Sequence, residues 1–315
     1  MLDFFKKFSK KKEPQEPKET KITAEPISRP VVIDNAKTAP LSDLQLESIR
    51  ALAQNHFEPI QYLVASGQSV GQRRELNEDC LFTLTTCVAG NSGNPPFGLF
   101  IVADGMGGHQ NGEVASNTAV RTVSNYVMKK IHNVLFSFPI EPLDESLQEI
   151  LQGAVLEAQH AVMKEAPGSG TTVTAALVLG QQLTIAHVGD SRGYLLYNEH
   201  RMEAITRDHS LVRRLEELGQ ITAAEAAVHP QRNVLYRAVG QGDNMDADVI
   251  TTPFPIGGYL LLCSDGLWGL VSDDEMSQMI YSAPTIQRAC QDMVAAANAA
   301  GGPDNISVIL VKLLG

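Results

Sequence analysis

Cysteine is scarce. The four in the chain, Cys80, Cys87, Cys263 and Cys290, show no CxxC spacing. They suggest neither a disulfide framework nor a zinc site, and a reducing, cytoplasmic setting is expected. Long apolar runs are also missing: none approaches the roughly 18–20 residues of a membrane span. The first residues lack the apolar stretch of about 7–15 residues that a secretory signal needs, so none is expected. Basic charge is in deficit, with 25 Lys and Arg against 36 Asp and Glu for a net charge of −11. A general nucleic-acid binder needs a basic surface to displace phosphate counterions, so no nucleic-acid partner is expected. No internal repeat is visible. Against these absences, 315 residues of which 43% are hydrophobic are enough for a sizeable packed core.

The charge is unevenly spread. Residues 1–60 carry 10 Lys/Arg and 9 Asp/Glu, whereas residues 61–315 carry 15 and 27. The acidity therefore belongs to the body. Five prolines (Pro14, Pro17, Pro26, Pro30 and Pro40) and a Lys/Glu-rich run fall in the first forty residues. Such a composition buries too little apolar surface to offset its ordering entropy. We expect a disordered linker over residues 10–40 and one short amphipathic helix over 41–56, with Leu46, Ile49, Leu52 and Ala53 at helical spacing. The start, MLDFFKKFSKKK from Met1 to Lys12, mixes Leu2, Phe4, Phe5 and Phe8 with five lysines. It reads as a weak membrane-surface contact, making the protein membrane-peripheral, as a partner-docking segment, or as a solvated, disordered end. The expected division is an N-terminal tail and linker over 1–60 and one folded domain over 61–315.

From Gln61 the pattern changes to short apolar runs broken by Gly, Asn and Asp. Strands are expected at 62–66, 81–88, 98–103, 172–179, 183–188, 193–197, 249–252, 259–263 and 306–310, each β-branched or apolar and ended by turn residues. Helices are expected at 112–130, 143–164, 210–218, 222–227, 273–281 and 285–300. Ser272-Asp273-Asp274-Glu275 is a helix-start signal, because carboxylates there favour the macrodipole. Strands and helices come in runs rather than strict alternation. That pattern predicts an α+β fold with helices covering antiparallel sheets.

Several carboxylates sit where an apolar run meets a turn. Phe100-Ile101-Val102-Ala103 leads into Asp104-Gly105, and Leu260-Leu261-Leu262-Cys263-Ser264 into Asp265-Gly266. Asp304-Asn305 precedes Ile306-Ser307-Val308-Ile309, and Glu78-Asp79 opens the run at Leu81. A carboxylate at a buried strand end is unfavourable unless it is paired or bound to a cation. One Asp-Gly alone is usually only a turn. Four such places in one acidic body point to a shared cation, and all-oxygen ligands suit Mg²⁺ or Mn²⁺ rather than zinc.

The motifs, in order, are Arg74-Glu75-Leu76-Asn77-Glu78-Asp79, Asp104-Gly105-Met106-Gly107-Gly108-His109, Ser169-Gly170-Thr171-Thr172, Gly189-Asp190-Ser191-Arg192-Gly193, Asp208-His209-Ser210, His229-Pro230 with Asn233, Ser264-Asp265-Gly266-Leu267-Trp268 and Gly302-Pro303-Asp304-Asn305-Ile306. This set resembles the bacterial metal-dependent protein phosphatases of the PP2C type over about residues 61–315. The resemblance implies a four-layer αββα sandwich, two central antiparallel β-sheets flanked by helices, with a metal cleft at one end. It implies hydrolysis of phosphoserine and phosphothreonine in proteins by a metal-activated water, on substrates of a Ser/Thr kinase, in a monomer.

The resemblance assigns two Mn²⁺ or Mg²⁺ ions to Glu78, Asp104, the Gly105 carbonyl, Asp265 and Asp304, with Asp104 bridging. Asp104, Asp265 and Asp304 are thereby the catalytic set. Asp79 and Asn305 orient these ligands, and Arg74 binds the substrate phosphate. Residues 211–240 match the family's mobile flap. Asp190 reads as a buried turn residue, His209 as a loop support, His187 as a core-edge histidine and Arg73 as a surface charge. Two departures stand out. Met106 occupies the place where many eukaryotic relatives have a histidine proposed as the leaving-group acid, and His109 lies three residues further on. The aspartates that hold a third metal in many members are replaced: Ala166-Pro167-Gly168 precedes Ser169, with Glu165 the nearest acid, and Gly269 follows Trp268. The alternative to an active enzyme is an inactive phosphatase-fold scaffold. Such proteins usually lose a metal ligand, and here Glu78, Asp104, Asp265 and Asp304 are all present. A different two-metal phosphoesterase would bring His-rich ligand clusters, which are missing.

Overall fold

The computed structural model describes residues 59–88, 95–107, 111–139, 141–242 and 245–315. The tail, the helix expected at 41–56 and His109 lie outside the described residues. The remainder builds two antiparallel sheets. One runs in the order β1 (Gln61–Ser69), β11 (Ile306–Leu314), β10 (Tyr259–Cys263), β7 (Arg192–Leu196) and β8 (Met202–Ala204). The other runs β2 (Asp79–Thr86), β3 (Phe97–Met106), β5 (Val173–Leu179), β6 (Gln182–Val188) and β9 (Asp248–Pro253), with the short β4 (Gly170–Thr171) paired to the end of β3.

Both faces of each sheet are covered, which is why the central strands read as continuous apolar runs. Along β3, Phe97, Leu99, Ile101 and Ala103 pack on the helices α1 (Asn111–Phe136) and α2 (Leu147–Glu165). The alternate residues Phe100 and Val102 face Leu260, Leu262, Ile309 and Val311 of the opposite sheet. Each such large side chain contributes about 1.5–3 kcal/mol by leaving water. Sheet one is covered in turn by two further helices, Asp273–Ser282 and Ile286–Ala299, through Met276, Ile280, Ala289 and Met293. The four-layer αββα sandwich expected from the motifs is the observed architecture.

In chain order, three short helices, α3 (Leu211–Glu217), α4 (Ala223–Ala227) and α5 (Asp265–Trp268), come before the two covering helices of sheet one, which are therefore α6 and α7. Neither α3 nor α4 buries a residue. Their segment is pinned at its base by the bridges Ser210↔Leu235 and Thr171↔Val239.

The helix expected from 143 begins at Leu147. Ser146 caps it, accepting from the Glu149 N–H while the Glu149 carboxylate accepts from Ser146 N–H. Leu143 is apolar because it packs against the core from the preceding loop. The start signal at Ser272 is borne out by the same reciprocal cap with Glu275.

Candidate metal centre

The acidic residues gather at one end of the sandwich because antiparallel pairing places their strand ends together. Asp104 near the end of β3 lies directly opposite Asp79 at the start of β2. Gly105 N–H donates to the Glu78 carbonyl at 3.1 Å, which brings the two chain turns together. Asp265 follows β10 as the first residue of α5, and Asp304 precedes β11, the partner of β10. Ser264 joins the two sheets: its hydroxyl donates to Asp79 Oδ2 at 2.8 Å and accepts from Ser307 N–H at 3.0 Å.

Asn305 fastens the approach loop. Its side-chain carbonyl accepts from Glu78 N–H at 2.8 Å, and its amide donates to the carbonyls of Val70 and Leu76, each at 2.9 Å. Thr171 and Thr172 hold the far side, with Thr172 Oγ1 accepting from Asp104 N–H at 2.8 Å and Thr171 Oγ1 donating to the Asp104 carbonyl at 2.9 Å. Two glycines are required by close approach. A Cβ on Gly112 would stand 2.3 Å from Glu78 Oε1, and one on Gly105 would stand 2.1 Å from the Gly112 carbonyl.

The electrostatics of this end are unbalanced. Burial pushes the Asp104 carboxyl well above its usual range, and the neighbouring Asp79 and Asp265 add to the shift. Burial raises Asp265 as well, with Asp304 contributing. Asp79 is pushed up to about 7 by burial, against the stabilising hydroxyls of Ser307 and Ser264. Asp190 is raised by burial and by Asp265. Glu78 is raised by burial, with Arg74 opposing. Among the described residues, three buried side-chain oxygens have no hydrogen-bond partner, and all three belong here: Glu78 Oε1, Asp79 Oδ1 and Asp265 Oδ1. Buried carboxylate oxygens are costly without a partner charge. An all-carboxylate and carbonyl donor set of this kind fits hard divalent cations. Among the described residues, no three His, Cys, Asp or Glu side chains close into a compact ligand cage. The carboxylates line two facing strand ends, with Arg74 at the mouth. Its guanidinium donates to Asp304 Oδ2 at 2.7 Å and lies 3.9 Å from Glu78.

Several supporting residues were not singled out by the sequence reading. Ser264 and Thr172 belong to recognised motifs, but their partners are 185 and 68 residues away, and spacing gives no hint of them. Trp268 donates from Nε1 to the Asp190 carbonyl at 3.0 Å and carries the Arg192 guanidinium 3.5 Å above its ring. Arg192 in turn forks onto Asp208 at 3.0 and 2.8 Å. His187, expected at the edge of the core, is fully buried in it. Its Nε2 lies 3.1 Å from the Arg207 carbonyl and its Nδ1 lies 3.0 Å from Thr174 Oγ1. A carbonyl only accepts, so Nε2 carries the proton, and the single Thr174 hydroxyl proton is shared between His187 Nδ1 and the Ser191 carbonyl 2.9 Å away. His209 is likewise buried, with Nδ1 accepting from Gly189 N–H at 3.1 Å and Nε2 donating to Asp248 at 3.1 Å. Glu165 ends α2 on the surface, paired with Lys164 at 2.7 Å, and Gly269 caps α5 where a Cβ would come within 2.8 Å of the Asp265 carbonyl.

With this geometry in place, comparison with known proteins gives a consistent result. Residues 64–306 match the protein phosphatase 2C family. The chain is 41% identical over 243 residues to the serine/threonine phosphatase stp of Listeria monocytogenes, covering 77% of this chain and 92% of that protein. It is 35% identical over 250 residues to protein phosphatase PhpP of Streptococcus pneumoniae, covering 78% and 94%. The solved Mycobacterium tuberculosis serine/threonine phosphatase PstP/Ppp superposes with a TM-score of 0.65 at 32% identity, over 81% of this chain and all of that one. A structure of the PstP catalytic domain in complex with two manganese ions superposes with the same TM-score at 30% identity, covering 81% of this chain and 99% of that one. The chain belongs to the protein phosphatase 2C family. It is a metal-dependent serine/threonine phosphatase acting on phosphoproteins, and nothing in its relatives supports the inactive-scaffold alternative.

Proposed function

We propose that Glu78, Asp104, the Gly105 carbonyl, Asp265 and Asp304 hold two divalent ions, Mn²⁺ or Mg²⁺, with Asp104 shared between them. Asp265 and Asp304 serve one ion; Glu78 and Gly105 serve the other. The observation that carries this reading is the set of buried, unpartnered oxygens on Glu78, Asp79 and Asp265. When bound, such ions activate water for in-line attack and neutralise charge on the phosphoryl oxygens.

The chain's own residues do the rest. Asp79 and Asn305 fix the ligands, Asp79 through Ser264 and Asn305 through the 70–78 loop. Arg74 is already drawn to an anionic oxygen of Asp304, and a phosphate dianion offers the same guanidinium a bidentate partner. The placement of Glu165 on Lys164 and the bare Gly269 favour two ions and no third. Residues 61–315 form the phosphatase domain, with 211–240 as the flap that shapes substrate choice.

The acidic body argues against nucleic acid as a partner, the likeness to serine/threonine phosphatases supports phosphoproteins of a Ser/Thr kinase as substrates, and we assign the protein to the cytoplasm as a monomer. Among the described residues no helix is long and apolar enough to cross a membrane. The lysine-rich start from Met1 to Lys12 adds a weak, salt-sensitive membrane contact. The test of function is hydrolysis of a phosphothreonine peptide by the full chain. EDTA abolishes it and Mn²⁺ or Mg²⁺ restores it; turnover that persists in EDTA would defeat the two-ion reading. Anomalous scattering from crystals in high Mn²⁺ counts the sites, and a third well-occupied peak on a side-chain carboxylate would contradict the count of two.

A further inference from the structure

A cavity of about 540 Å³ opens beside the base of the 211–240 segment, lined by Arg207, Arg214, Arg237, Tyr236, His209 and Asp248. It sets three guanidinium groups against one carboxylate, within a body where acidic side chains outnumber basic ones 27 to 15. Internal pairing does not cancel the excess. Asp248 takes Arg237 at 2.7 Å and His209 at 3.1 Å. Glu217 on α3 is shared by Arg207 in close contact and Arg214 at 3.8 Å, and by Arg213 at 3.5 Å, which Glu216 holds more closely at 2.8 Å. Glu217 is the one carboxylate within 4.0 Å of Arg214 among the described residues, and the Arg214 side chain is 56% exposed. Tyr236, half exposed, adds a ring face 5.9 Å from the Arg237 guanidinium carbon.

Guanidinium forks match carboxylate and phosphoryl oxygens. The cavity lies at the same end of the sheet as Asp104: Asp248 pairs with His187 near the end of β6, Val188 pairs with Val173 at the start of β5, and Thr174 pairs with Val102 of β3. His209 at its floor holds Gly189 N–H, and the next residue, Asp190, stands among the buried acids beside Asp265. A polypeptide with its phosphate at Arg74 thus meets, at the same end of the sandwich, a second and oppositely charged pocket.

We propose that this cavity docks a second anionic side chain of the phosphoprotein substrate, a phosphorylated residue or a carboxylate, while the scissile phosphate is held at Arg74. The proposal rests on the phosphatase reading above and adds to it a preference for substrates that carry clustered negative charge.

The test uses the full chain and a phosphothreonine peptide with neutral flanks. It is compared with versions carrying one added phosphoserine or Glu at each position within about eight residues, a span of about 25 Å. The readout is the ratio of kcat/KM with and without the added anion, taken within each enzyme so that overall losses cancel. Wild type should favour the added anion at one or more spacings by about fivefold or more. Arg214→Ala, and Arg207→Ala with Arg214→Ala, should bring the ratio to about 1, while the control Arg288→Ala on α7 keeps it. No preference at any spacing, or a preference that survives both variants, overturns the proposal.

A second arm measures binding of the labelled phosphoserine peptide in EDTA by fluorescence anisotropy, comparing wild type with the same variants. If no phosphothreonine peptide is turned over with Mn²⁺, the function reading falls and this arm alone decides the cavity. Weaker binding by the arginine variants supports the docking site, and unchanged binding overturns it. Inorganic phosphate is titrated as the third probe. Arginine-dependent binding as tight as the peptide's would mark a free-phosphate site and overturn the substrate assignment.

Discussion

The two halves of β3 are built to opposite rules. From Phe97 to Ala103 every side chain is fully buried among apolar neighbours on one face or the other. At the next residue, Asp104 is only partly enclosed and faces Asp79 and Asp265, and the raised carboxyls and unpartnered oxygens around it record the strain. The first half holds the sandwich together. The second half spends some of that stability to keep anionic oxygens dehydrated and convergent. A site that must bind hard cations cannot also be an optimal core, and the glycines and hydroxyls around it exist to hold the acids in place.

The largest effect should come from removing Asp104, the ligand we propose the two ions share. Asp104→Asn should lower kcat by about a thousandfold or more, since it weakens the hold on both ions. In EDTA the same variant should melt higher than wild type, by about 1–3 kcal/mol, because a buried anion has been removed. Calorimetry with and without EDTA reads both signs, and a destabilised metal-free variant would break the contrast drawn along β3. Core truncation should act the other way. Leu262→Ala should cost about 3 kcal/mol in urea unfolding irrespective of metal.

The buried histidine sharpens the contrast through pH. Burial holds His187 down to about 4, below its ordinary 6.5. The unfolded chain therefore takes up a proton that the folded one refuses. The stability from neutral His187 is fully present above pH about 6.5 and is lost as pH falls toward about 4. The loss amounts to about 3 kcal/mol. The difference in unfolding free energy between wild type and His187→Asn, followed from pH 7 to 4, isolates it from the carboxylates. A difference that stays flat over that range would show that the imidazole is already charged in the fold. The smallest effect is expected at Arg74, which is 46% exposed at the mouth. Arg74→Ala should raise KM for a phosphopeptide about tenfold with kcat nearly kept, whereas a collapse of kcat at constant KM would place Arg74 at the transition state instead.

Much of this was legible in the sequence where one residue type carried a single meaning. Apolar runs ended by Asp-Gly located the central strands and the carboxylates together, because a charge at a buried strand end has few other reasons to be there. Boundaries failed where two signals competed. Leu143 extended the apolar pattern of α2 backwards, although Ser146 and Glu149 mark its true start. β8 was missed because Met202–Ala204 is three residues long and mostly exposed, so it leaves no alternation to read. The four-residue α5 was hidden inside a motif read only for its aspartate. The ties of Ser264 to Asp79, of Thr172 to Asp104 and of His209 to Gly189 depend on strand register and on chain distant in sequence. No local pattern encodes them.

The central claim, that the strained acidic half of this fold is a two-ion site, is tested most directly by titrating the metal-free full chain with Mn²⁺ in a calorimeter, beside Asp104→Asn. Wild type should bind two ions per chain with a rise in melting temperature, and Asp104→Asn should lose the tight binding of both. Wild type that binds no Mn²⁺, or an Asp104→Asn variant that binds two ions as tightly as wild type, would contradict it.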